Sequence, residues 1–520
     1  MTYGTNGSVI GPENAPTSSV AAGVWSLGEI AEARRDGIWP MPTSGWLLKV
    51  KNYDGDTTDP YPTLGTGRMN LMSLSSSSDK LYLWTNVQFG GSPLPHIVEL
   101  FITESDGTVT LQPDWDSTYE MNLTGNAGME GYVDSSDNVY GYWNESNWDG
   151  GSYVGSAYFK RNSSGTNQWV GGFDQTSAQS YSPFWYPYNS GGYLFLGSGP
   201  NSTTSGHYGK RALIAKVSDS TWPSSATPAA QQATYSSRES LDAFSTVDSY
   251  GGGTDGSYLY QHVSDYNTVD GQGPTIIKWS DSLAWQWGIK AAVGTGSGTL
   301  ITQGGHTATG SGISTMMGYQ SSGTPYPLFL IQANSVGALE NQRQWVHATA
   351  SSHFWPSSMA VDSSGNFYVS GYWQDLSDTG NWNGRPTIFK IDSSLNKVWI
   401  ASCTPTKNGT TEQWNPQQFC LTSDGGMALC GYLTISGEQQ EILVMKLGES
   451  TDSPAGQSGS VGDWSFTWAD TTSIFAETSP SHTWSSTSYV TNTSSSSGYN
   501  WGSISPTSGT WTSTNDTGGI

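Results

Sequence analysis

Residues 358–373 read Ser-Met-Ala-Val-Asp-Ser-Ser-Gly-Asn-Phe-Tyr-Val-Ser-Gly-Tyr-Trp, and residues 387–399 read Thr-Ile-Phe-Lys-Ile-Asp-Ser-Ser-Leu-Asn-Lys-Val-Trp. Each stretch has two short runs rich in β-branched and aromatic residues around a turn of Asp, Ser, Gly and Asn, which is typical of a β-hairpin. Residues 132–143 repeat the first stretch, and residues 158–169 repeat the second. The pattern therefore predicts a four-stranded unit that recurs along the chain.

The repeat can be counted from the residue that follows the first turn of each unit. That residue is Tyr82, Tyr140, Leu194, Leu259, Met317, Tyr368 and Ala428. A lysine in the third run recurs at Lys160, Lys216, Lys278, Lys390 and Lys446, and a tryptophan in the fourth run recurs at Trp115, Trp169, Trp222, Trp287, Trp345 and Trp399. The spacing predicts seven units, with eight as the alternative because the unit around Met317 lacks the Asp-rich turn.

Antiparallel four-stranded units that repeat in this way are typical of a β-propeller, in which radial packing leaves only short edges exposed. We therefore predict an all-β chain with a seven-bladed propeller over 46–450. The extra run at 46–50 is expected to close the ring by completing the last blade. The repeat resembles bacterial propeller repeats of the Asp-x-x-Gly-Asn-x-Tyr-x-x-Gly type, a resemblance that implies a strand-turn-strand unit and no particular chemistry.

Composition and charge exclude several classes of protein. Among the 520 residues, 12% are aromatic and 12% are charged, and acidic residues exceed basic ones by 43 − 20 = 23. The aromatic content argues against disorder, and the negative charge argues against nucleic acid or anionic lipid as a partner. The first residues show neither a basic nor an apolar signal region, so Sec export is not expected, and no run is apolar enough to predict membrane insertion.

The N-terminal arm, residues 1–45, contains one predicted helix over 26–37 that we expect to dock on a partner. Ser26 and Glu29 have the spacing of a capping box, and Trp25 and Ile30 occupy the positions of a hydrophobic staple. Trp39 follows the helix and completes the apolar docking face.

The stretch Gly23–Pro40 resembles a Gly-Val-Trp-Ser-Leu-x-Glu…Gly-x-Trp-Pro segment of virion structural proteins from marine tailed phages, including those of cyanobacteria. The resemblance implies a tail, fibre or particle-surface component. Such a protein would be assembled in the host cytoplasm and released by lysis, with other virion proteins and further copies of itself as partners.

The C-terminal segment differs in composition from the repeats. Residues 451–462 are rich in Ser, Gly and Pro and predict a linker. Residues 463–520 carry regularly spaced tryptophans, and alternation with period two around Trp464 and Trp468 predicts strands with one buried face. We expect this segment to be an assembly arm that packs on the propeller or on another subunit.

Long connections rich in aromatic residues are expected on one face of the propeller, where they would bind a partner. The candidate binding residues are Trp143, Trp148, Trp185, Tyr186, Trp373 and Trp382. The alternative is that these side chains pack against neighbouring blades, as most aromatic residues do.

The sequence contains no nucleophile elbow, P-loop, zinc-protease motif or dinucleotide-binding motif, and its histidines are scattered. Asp54, Asp56 and Asp59 could hold calcium but are more typical of a solvated loop. Cys420 and Cys430 could pair across a hairpin, although free thiols are favoured in a protein assembled in a reducing cytoplasm. No metal, cofactor or enzymatic activity is therefore predicted.

Together these features predict a non-enzymatic virion structural protein, such as a tail, nozzle, fibre or particle-surface component that takes part in assembly and host attachment. One alternative is a lectin-like propeller that binds a host glycan or receptor. A second alternative is a glycan-degrading enzyme, because propellers also carry glycosidases.

Overall fold

The computed structural model describes a large part of the chain between residues 45 and 519. The described segments are 45–52, 70–73, 80–88, 95–105, 108–112, 119–120, 129–134, 136–146, 154–162, 166–175, 188–190, 193–198, 211–221, 230–236, 247–267, 271–282, 284–292, 300–307, 314–320, 326–349, 351–375, 384–422, 426–434, 441–449, 453–478, 480, 483–487, 489–492, 499–503 and 513–519. The predicted N-terminal helix over 26–37, with Trp25, Ser26, Glu29, Ile30 and Trp39, lies outside the described residues, as do Asp54, Asp56 and Asp59.

The regular elements of the described part are all strands, and they pair into seven antiparallel sheets. The first strand, β1 (Trp46–Asn52), pairs in the last sheet. Sheet 1 contains β2 (Asn70–Ser73), β3 (Lys80–Gln88), β4 (Pro95–Ser105) and β5 (Thr108–Gln112), with β6 (Tyr119–Glu120) beside β4. Sheet 2 contains β7 (Met129–Val133), β8 (Val139–Ser146), β9 (Val154–Arg161) and β10 (Asn167–Gln175). Sheet 3 contains β11 (Tyr188–Ser190), β12 (Tyr193–Ser198), β13 (Arg211–Ser218) and β14 (Ala230–Ser236).

The next four sheets follow the same order. Sheet 4 contains β15 (Val247–Thr254), β16 (Tyr258–Asn267), β17 (Gly271–Ser280) and β18 (Trp285–Ala292). Sheet 5 contains β19 (Leu300–Thr307), β20 (Ser314–Gln320), β21 (Leu328–Ala333) and β22 (Leu339–His347). Sheet 6 contains β23 (Ser352–Val361), β24 (Phe367–Asp375), β25 (Arg385–Ile391) and β26 (Lys397–Lys407), with β27 (Thr410–Thr411) beside β26. Sheet 7 contains β28 (Gln413–Leu421), β29 (Gly426–Thr434), β30 (Glu441–Glu449) and β1.

The sheets are arranged like the blades of a propeller. The first strands of sheets 4 to 7 contact one another in sequence: β15 contacts β19, β19 contacts β23, and β23 contacts β28. These four sheets carry the main described core, in which side chains such as Leu330, Phe389 and Leu429 are fully buried. The prediction of an all-β, propeller-like chain is confirmed. The propeller arrangement is seen for four blades and not for the seven predicted, so the complete ring stays a prediction.

The N-terminal strand completes the last sheet. β1 pairs with β30 in antiparallel register, with Trp46 opposite Lys446 and Val50 opposite Ile442. The first described strand of the chain and the last strand of the repeats therefore form one sheet, as expected from the extra run at 46–50.

The C-terminal segment forms seven further strands, which we call the belt. They are β31 (Ser458–Val461), β32 (Trp464–Asp470), β33 (Phe475–Thr478), β34 (Thr483–Thr487), β35 (Tyr489–Asn492), β36 (Tyr499–Ser503) and β37 (Ser513–Gly519). β31 and β32 form a hairpin, and each later strand adds a fifth strand to a different sheet. The belt pairs β32 with β26, β33 with β22, β34 with β18, β35 with β14, β36 with β10 and β37 with β1.

The belt visits the sheets in the reverse of their chain order, from sheet 6 back to sheet 2 and then to sheet 7. The belt strands that pair with β26, β22 and β18 are antiparallel to these outer strands. The belt therefore passes the sheets in the opposite order to the repeats. Neighbouring strands rotate by roughly 20–25°, which places the fifth strand at about 80–100° to the first. Outer strands therefore run around the rim, and short connections carry the belt between sheets.

The belt changes the expected organisation of the C-terminal region. The predicted linker over 451–462 includes strand β31 and a turn in which Gly456 N–H donates to Trp468 O over 2.8 Å. This part of the predicted linker is therefore regular structure. It pairs because alternating aromatic residues give β32 a buried face, with Trp464, Phe466 and Trp468 at most 1% exposed.

Candidate functional site

Turns between the first and second strands of sheets 2 and 6 are built around a half-buried carboxylate. Asp362 Oδ1 accepts the backbone N–H groups of Ser364 and Asn366, both over 2.9 Å, and Oδ2 accepts Asn366 Nδ2 and the hydroxyl of Tyr368. Burial raises the pKa of Asp362, but the donors from Asn366, Tyr368 and Ser364 outweigh it and leave this pKa below the ordinary value. Asp134 makes the same four contacts in sheet 2. The aspartates of the repeat therefore hold turns together.

The recurring lysine and tryptophan connect sheet 2 to sheet 3 and sheet 4 to sheet 5. Three donors of sheet 2 meet on Asp219, in the turn between the third and fourth strands of sheet 3. Lys160 Nζ and the Tyr140 hydroxyl each lie 2.8 Å from Asp219 Oδ1, and Trp169 Nε1 donates to Asp219 O over 3.0 Å. We call such a group a clip. It consists of side chains of one sheet that bind the turn between the third and fourth strands of the next sheet.

Similar clips occur in sheets 4 and 5. Sheet 4 again uses a lysine and a tryptophan, whereas sheet 5 uses a glutamine and an asparagine. Lys278 Nζ and Trp287 Nε1 of sheet 4 donate to Ser335 O over 3.1 and 3.0 Å. In sheet 5, Gln332 and Asn341 make the corresponding bonds to Ser393 O and Ser394 O. Trp345 was predicted to be the recurring tryptophan of this sheet. That prediction is wrong, because Asn341 forms the clip and Trp345 lies in the core at 1% exposure.

The innermost strands share an irregularity where they line the centre of the propeller. β15, β19, β23 and β28 each carry one extra residue four positions before the strand ends: Tyr250, Gln303, Ser357 and Gln417 respectively. Such bulges bend a strand and often lie beside functional sites. Next to two of them stand Gly371 and Gly431, where an added Cβ would collide with the backbone oxygens of Trp355 and Asn415. The glycines directly before Tyr372 and Tyr432 therefore permit close approach of the bulged strands.

An aromatic cluster lies at the inner edge of sheet 6, on the side of the connections between second and third strands. Tyr326, which precedes β21, forms a parallel bridge with His353, and its carbonyl accepts Phe354 N–H over 3.3 Å. The Tyr326 ring stacks on His353 with centroids 3.4 Å apart and meets Trp355 edge-on at 5.8 Å. We call Tyr326, His353 and Trp355 the channel-mouth cluster.

The channel-mouth cluster combines buried and accessible groups. Tyr326 and Trp355 are half-buried, whereas His353 is 5% exposed. Burial lowers the pKa of His353, so the imidazole is neutral at neutral pH. Its Nε2 has no hydrogen-bond partner within the part of the chain that the structure describes. The cluster thus offers aromatic surface together with an uncharged imidazole.

Trp373 is the one predicted binding residue whose side chain the structure describes, and it packs between two other side chains. Its ring stacks on His347 of sheet 5 with centroids 4.5 Å apart, and the Arg385 guanidinium lies 5.1 Å from the ring centre. Trp373 is half-buried, and its role in binding stays a prediction. Arg385 is exposed beside it and brings a positive charge to the base of the second-to-third connection of sheet 6.

The remaining predicted binding residues are not brought together by the described structure. Trp143 lies in β8, opposite Met129 and Ala157, and its side chain is not described. Trp148, Trp185, Tyr186 and Trp382 lie outside the described residues.

Tyr326 and His353 were not among the residues predicted from the sequence, because their contact joins two sheets. A signal for this site was the aromatic, proline-containing start of β23, His-Phe-Trp-Pro at 353–356.

The described residues contain no metal-binding group, no disulfide bond and no membrane-spanning helix. No group of His, Cys, Asp and Glu among the described residues could hold a metal ion. Cys403, Cys420 and Cys430 form no disulfide bond, and burial raises the pKa of Cys403 and Cys430. Cys420 stands opposite Ala428 and not opposite Cys430. The described residues include no helix long and apolar enough to cross a membrane.

No protein-family model and no curated protein matches the chain. Among solved structures, it is similar to the polysaccharide lyase Uly1, with 11% identity, coverage of 76% of this chain and 94% of the lyase, and a TM-score of 0.43. An α-L-arabinanase of Penicillium chrysogenum matches with 9% identity, 78% and 99% coverage and a TM-score of 0.38. The endosialidase of phage phi92 matches with 11% identity, 78% and 69% coverage and a TM-score of 0.37.

These similar structures correct one expectation. The sequence predicted a protein without enzymatic activity, whereas the similar structures are a lyase, an arabinanase and sialidases. The prediction of a non-enzymatic protein is therefore wrong. It rested on the absence of catalytic sequence motifs, but carboxylates on different blades can converge with no motif between them. At this level of identity and TM-score, the similarity assigns no reaction and no catalytic residue to this chain.

Proposed function

We propose that the protein is a glycan-binding propeller on the surface of a tailed-phage particle, and that the sugar stacks at the channel-mouth cluster. The observation that carries the proposal is the contact of Tyr326, His353 and Trp355, which leaves two half-buried aromatic rings at the inner edge of sheet 6. Aromatic rings with a polar group nearby suit a ligand that has both apolar faces and hydroxyl groups, as sugars have.

The surroundings of the channel-mouth cluster support the same ligand class. The bulged inner strands place polar residue types, including Gln303 and Gln417, at the positions next to the channel. Arg385 adds an exposed guanidinium on the same side, where its planar group can donate hydrogen bonds to a sugar hydroxyl or carboxylate oxygen. A neutral ligand or one with a single carboxylate fits a chain of net charge −23 better than a densely anionic one.

The place of the protein on a phage particle is part of the same proposal. It is supported by the resemblance of the segment Gly23–Pro40 to virion structural proteins. In this proposal seven blades form a closed ring, which is supported by the pairing of the described strands into seven sheets. Further copies of the chain and other virion proteins are its partners, and the particle is assembled in the host cytoplasm and released by lysis.

The proposal is tested by binding of the full chain to an array of bacterial surface polysaccharides. We expect at least one glycan to bind, and Trp355→Ala to weaken that binding about tenfold, since an aromatic contact contributes roughly 0.5–1.5 kcal/mol. Trp287→Ala is the matched control, because Trp287 is also half-buried but belongs to a clip at the opposite end of a sheet. Equal binding by Trp355→Ala and the wild type would overturn the proposed site.

The same samples measure whether recognition leads to cleavage. Reducing ends and unsaturated products are followed during incubation with each bound glycan, because both hydrolysis and a lyase reaction yield new reducing ends, whereas only the lyase reaction yields unsaturated products. A product that disappears in the Trp355→Ala variant would place the reaction at the channel mouth.

A further inference from the structure

Both described ends of the chain meet in sheet 7. β1 lies between β30 and β37, and its pairing with β37 runs from Trp46 opposite Gly519 to Asn52 opposite Ser513. β31, the first strand of the belt, contacts both β1 and β37. The belt therefore starts and ends at the junction between sheets 6 and 7, where β1 also completes the last sheet.

The first hairpin of the belt is wedged into this junction. Phe466 in β32 pairs with β26 of sheet 6, and its ring meets Trp414 of sheet 7 edge-on at 5.9 Å. Trp464 stacks on Phe466 with centroids 6.2 Å apart. All three residues are at most 1% exposed and belong to the same core as Leu47 of β1. Removal of the hairpin would expose the core that the two sheets share.

A charged bridge spans the same junction. Asp463, in the turn of the hairpin, lies 3.4 Å from Lys49 Nζ of β1 and 3.4 Å from Lys407 Nζ of β26. The side chain of Lys49 is 3% exposed, so the loss of this carboxylate would be costly. Burial raises the pKa of Asp463, but its hydrogen bonds and the two lysines lower it overall, which keeps the carboxylate charged.

A second anchor holds the next belt strand. Glu477 of β33 lies 3.3 Å from Arg343 Nε of sheet 5 and accepts Lys397 N–H of sheet 6 over 3.2 Å. Lys397 Nζ also donates to Thr472 O and Phe475 O, over 2.8 and 2.7 Å. The belt is therefore fixed to two successive sheets before it continues around the rim.

We propose that, in the closed ring of seven blades proposed above, the belt is a lock on ring closure. Without it, β1 is an edge strand held in sheet 7 by β30 alone. With it, β1 pairs with β37, and both strands contact β31 at the start of the belt. The paired strands β1 and β37 therefore leave β30 only after their contacts with β31 and the bridge between Asp463 and Lys49 have broken.

The first experiment cross-links the end of the belt to β1. Lys51 and Thr514 are register partners, so Lys51→Cys with Thr514→Cys places two thiols at the distance that a disulfide requires. We expect the oxidised variant to unfold in urea at least tenfold more slowly than its reduced form. A matched cross-link within sheet 4, Ser249→Cys with Val263→Cys, should change the rate less than twofold. Equal unfolding rates of the oxidised and reduced seam variants would overturn the proposal.

The second experiment removes the charge of the bridge in the otherwise intact chain. We expect Asp463→Asn to raise the rate of deuterium uptake in 46–52 and 513–519 about tenfold. Asp470→Asn is the control, because Asp470 lies at the end of β32 and accepts the backbone N–H of nearby Thr472, a contact that asparagine can maintain. Uptake that is the same in both variants would contradict the role of the bridge.

Discussion

Replacement of Phe475 by alanine tests whether the belt is part of the propeller core. Phe475 is 1% exposed, and its ring lies 4.9 Å from Phe389, 5.0 Å from His347 and 6.5 Å from Phe354, measured between centroids. Loss of a buried phenylalanine side chain costs about 3–5 kcal/mol when the surrounding structure cannot collapse. The site cannot collapse easily because β33 and β22 are held in register by strand pairing. We therefore expect a loss near the upper end of this range.

Urea unfolding monitored by tryptophan fluorescence and circular dichroism provides the assay. Thr478→Ala is the control, because Thr478 lies in the same strand at an exposed position. A surface substitution of this kind should change the free energy of unfolding by less than about 0.5 kcal/mol. A loss below about 1 kcal/mol for Phe475→Ala would refute the reasoning, since a buried phenylalanine in a fixed site cannot be removed so cheaply. It would mean that β33 is a detachable arm, available to another subunit.

Three further predictions concern the clips, the turns and the inner strands. Asp219→Ala should lower the free energy of unfolding by about 1–3 kcal/mol, because it leaves the Lys160 ammonium without this carboxylate, and Asp219→Asn should cost less in the same urea assay. The pKa of Asp362 is lowered in the folded state, so its stabilisation is present above the unfolded pKa of about 3.9 and is lost as the pH falls through the folded value. Melting temperatures between pH 2 and 6 should therefore fall less steeply for Asp362→Asn than for the wild type. Gly371→Ala should cost about 1–3 kcal/mol in urea, because its Cβ would meet the backbone of the bulged strand, and an unchanged midpoint would contradict that contact.

The local parts of the fold could be predicted from sequence because their causes lie within a few residues. Asp134 and Asp362 accept N–H groups two and four residues further along the chain, so the composition of the turn specifies its structure. The strand at 46–50 was recognisable because it repeats the third run of each unit. These signals are short-range or periodic, and both can be read from one sequence.

The belt and the channel-mouth cluster could not be predicted, because both depend on pairing between distant residues. Alternation around Trp468 indicated a strand with one buried face, but nothing in it specified β26 as the partner, some 65 residues earlier. Tyr326 and His353 are brought together across two sheets. For Trp373, sequence left binding and packing as alternatives, and it could not specify the contact with His347 of the neighbouring sheet.

The clips and the belt occupy particular surfaces of the propeller, and this limits where a ligand can bind. The clips use the side of the molecule that carries the turns between third and fourth strands, where Lys160 and Lys278 are committed to the next sheet. The belt uses the rim, where its strands pair with the outer edges of sheets. A ligand on either surface would compete with contacts that hold the ring together. The side of the second-to-third connections carries fewer of these described contacts, and there Trp355 can be replaced with little damage to clips or belt. Binding that depends on Trp355 and not on Trp287 would therefore separate ligand recognition from the stability of the ring.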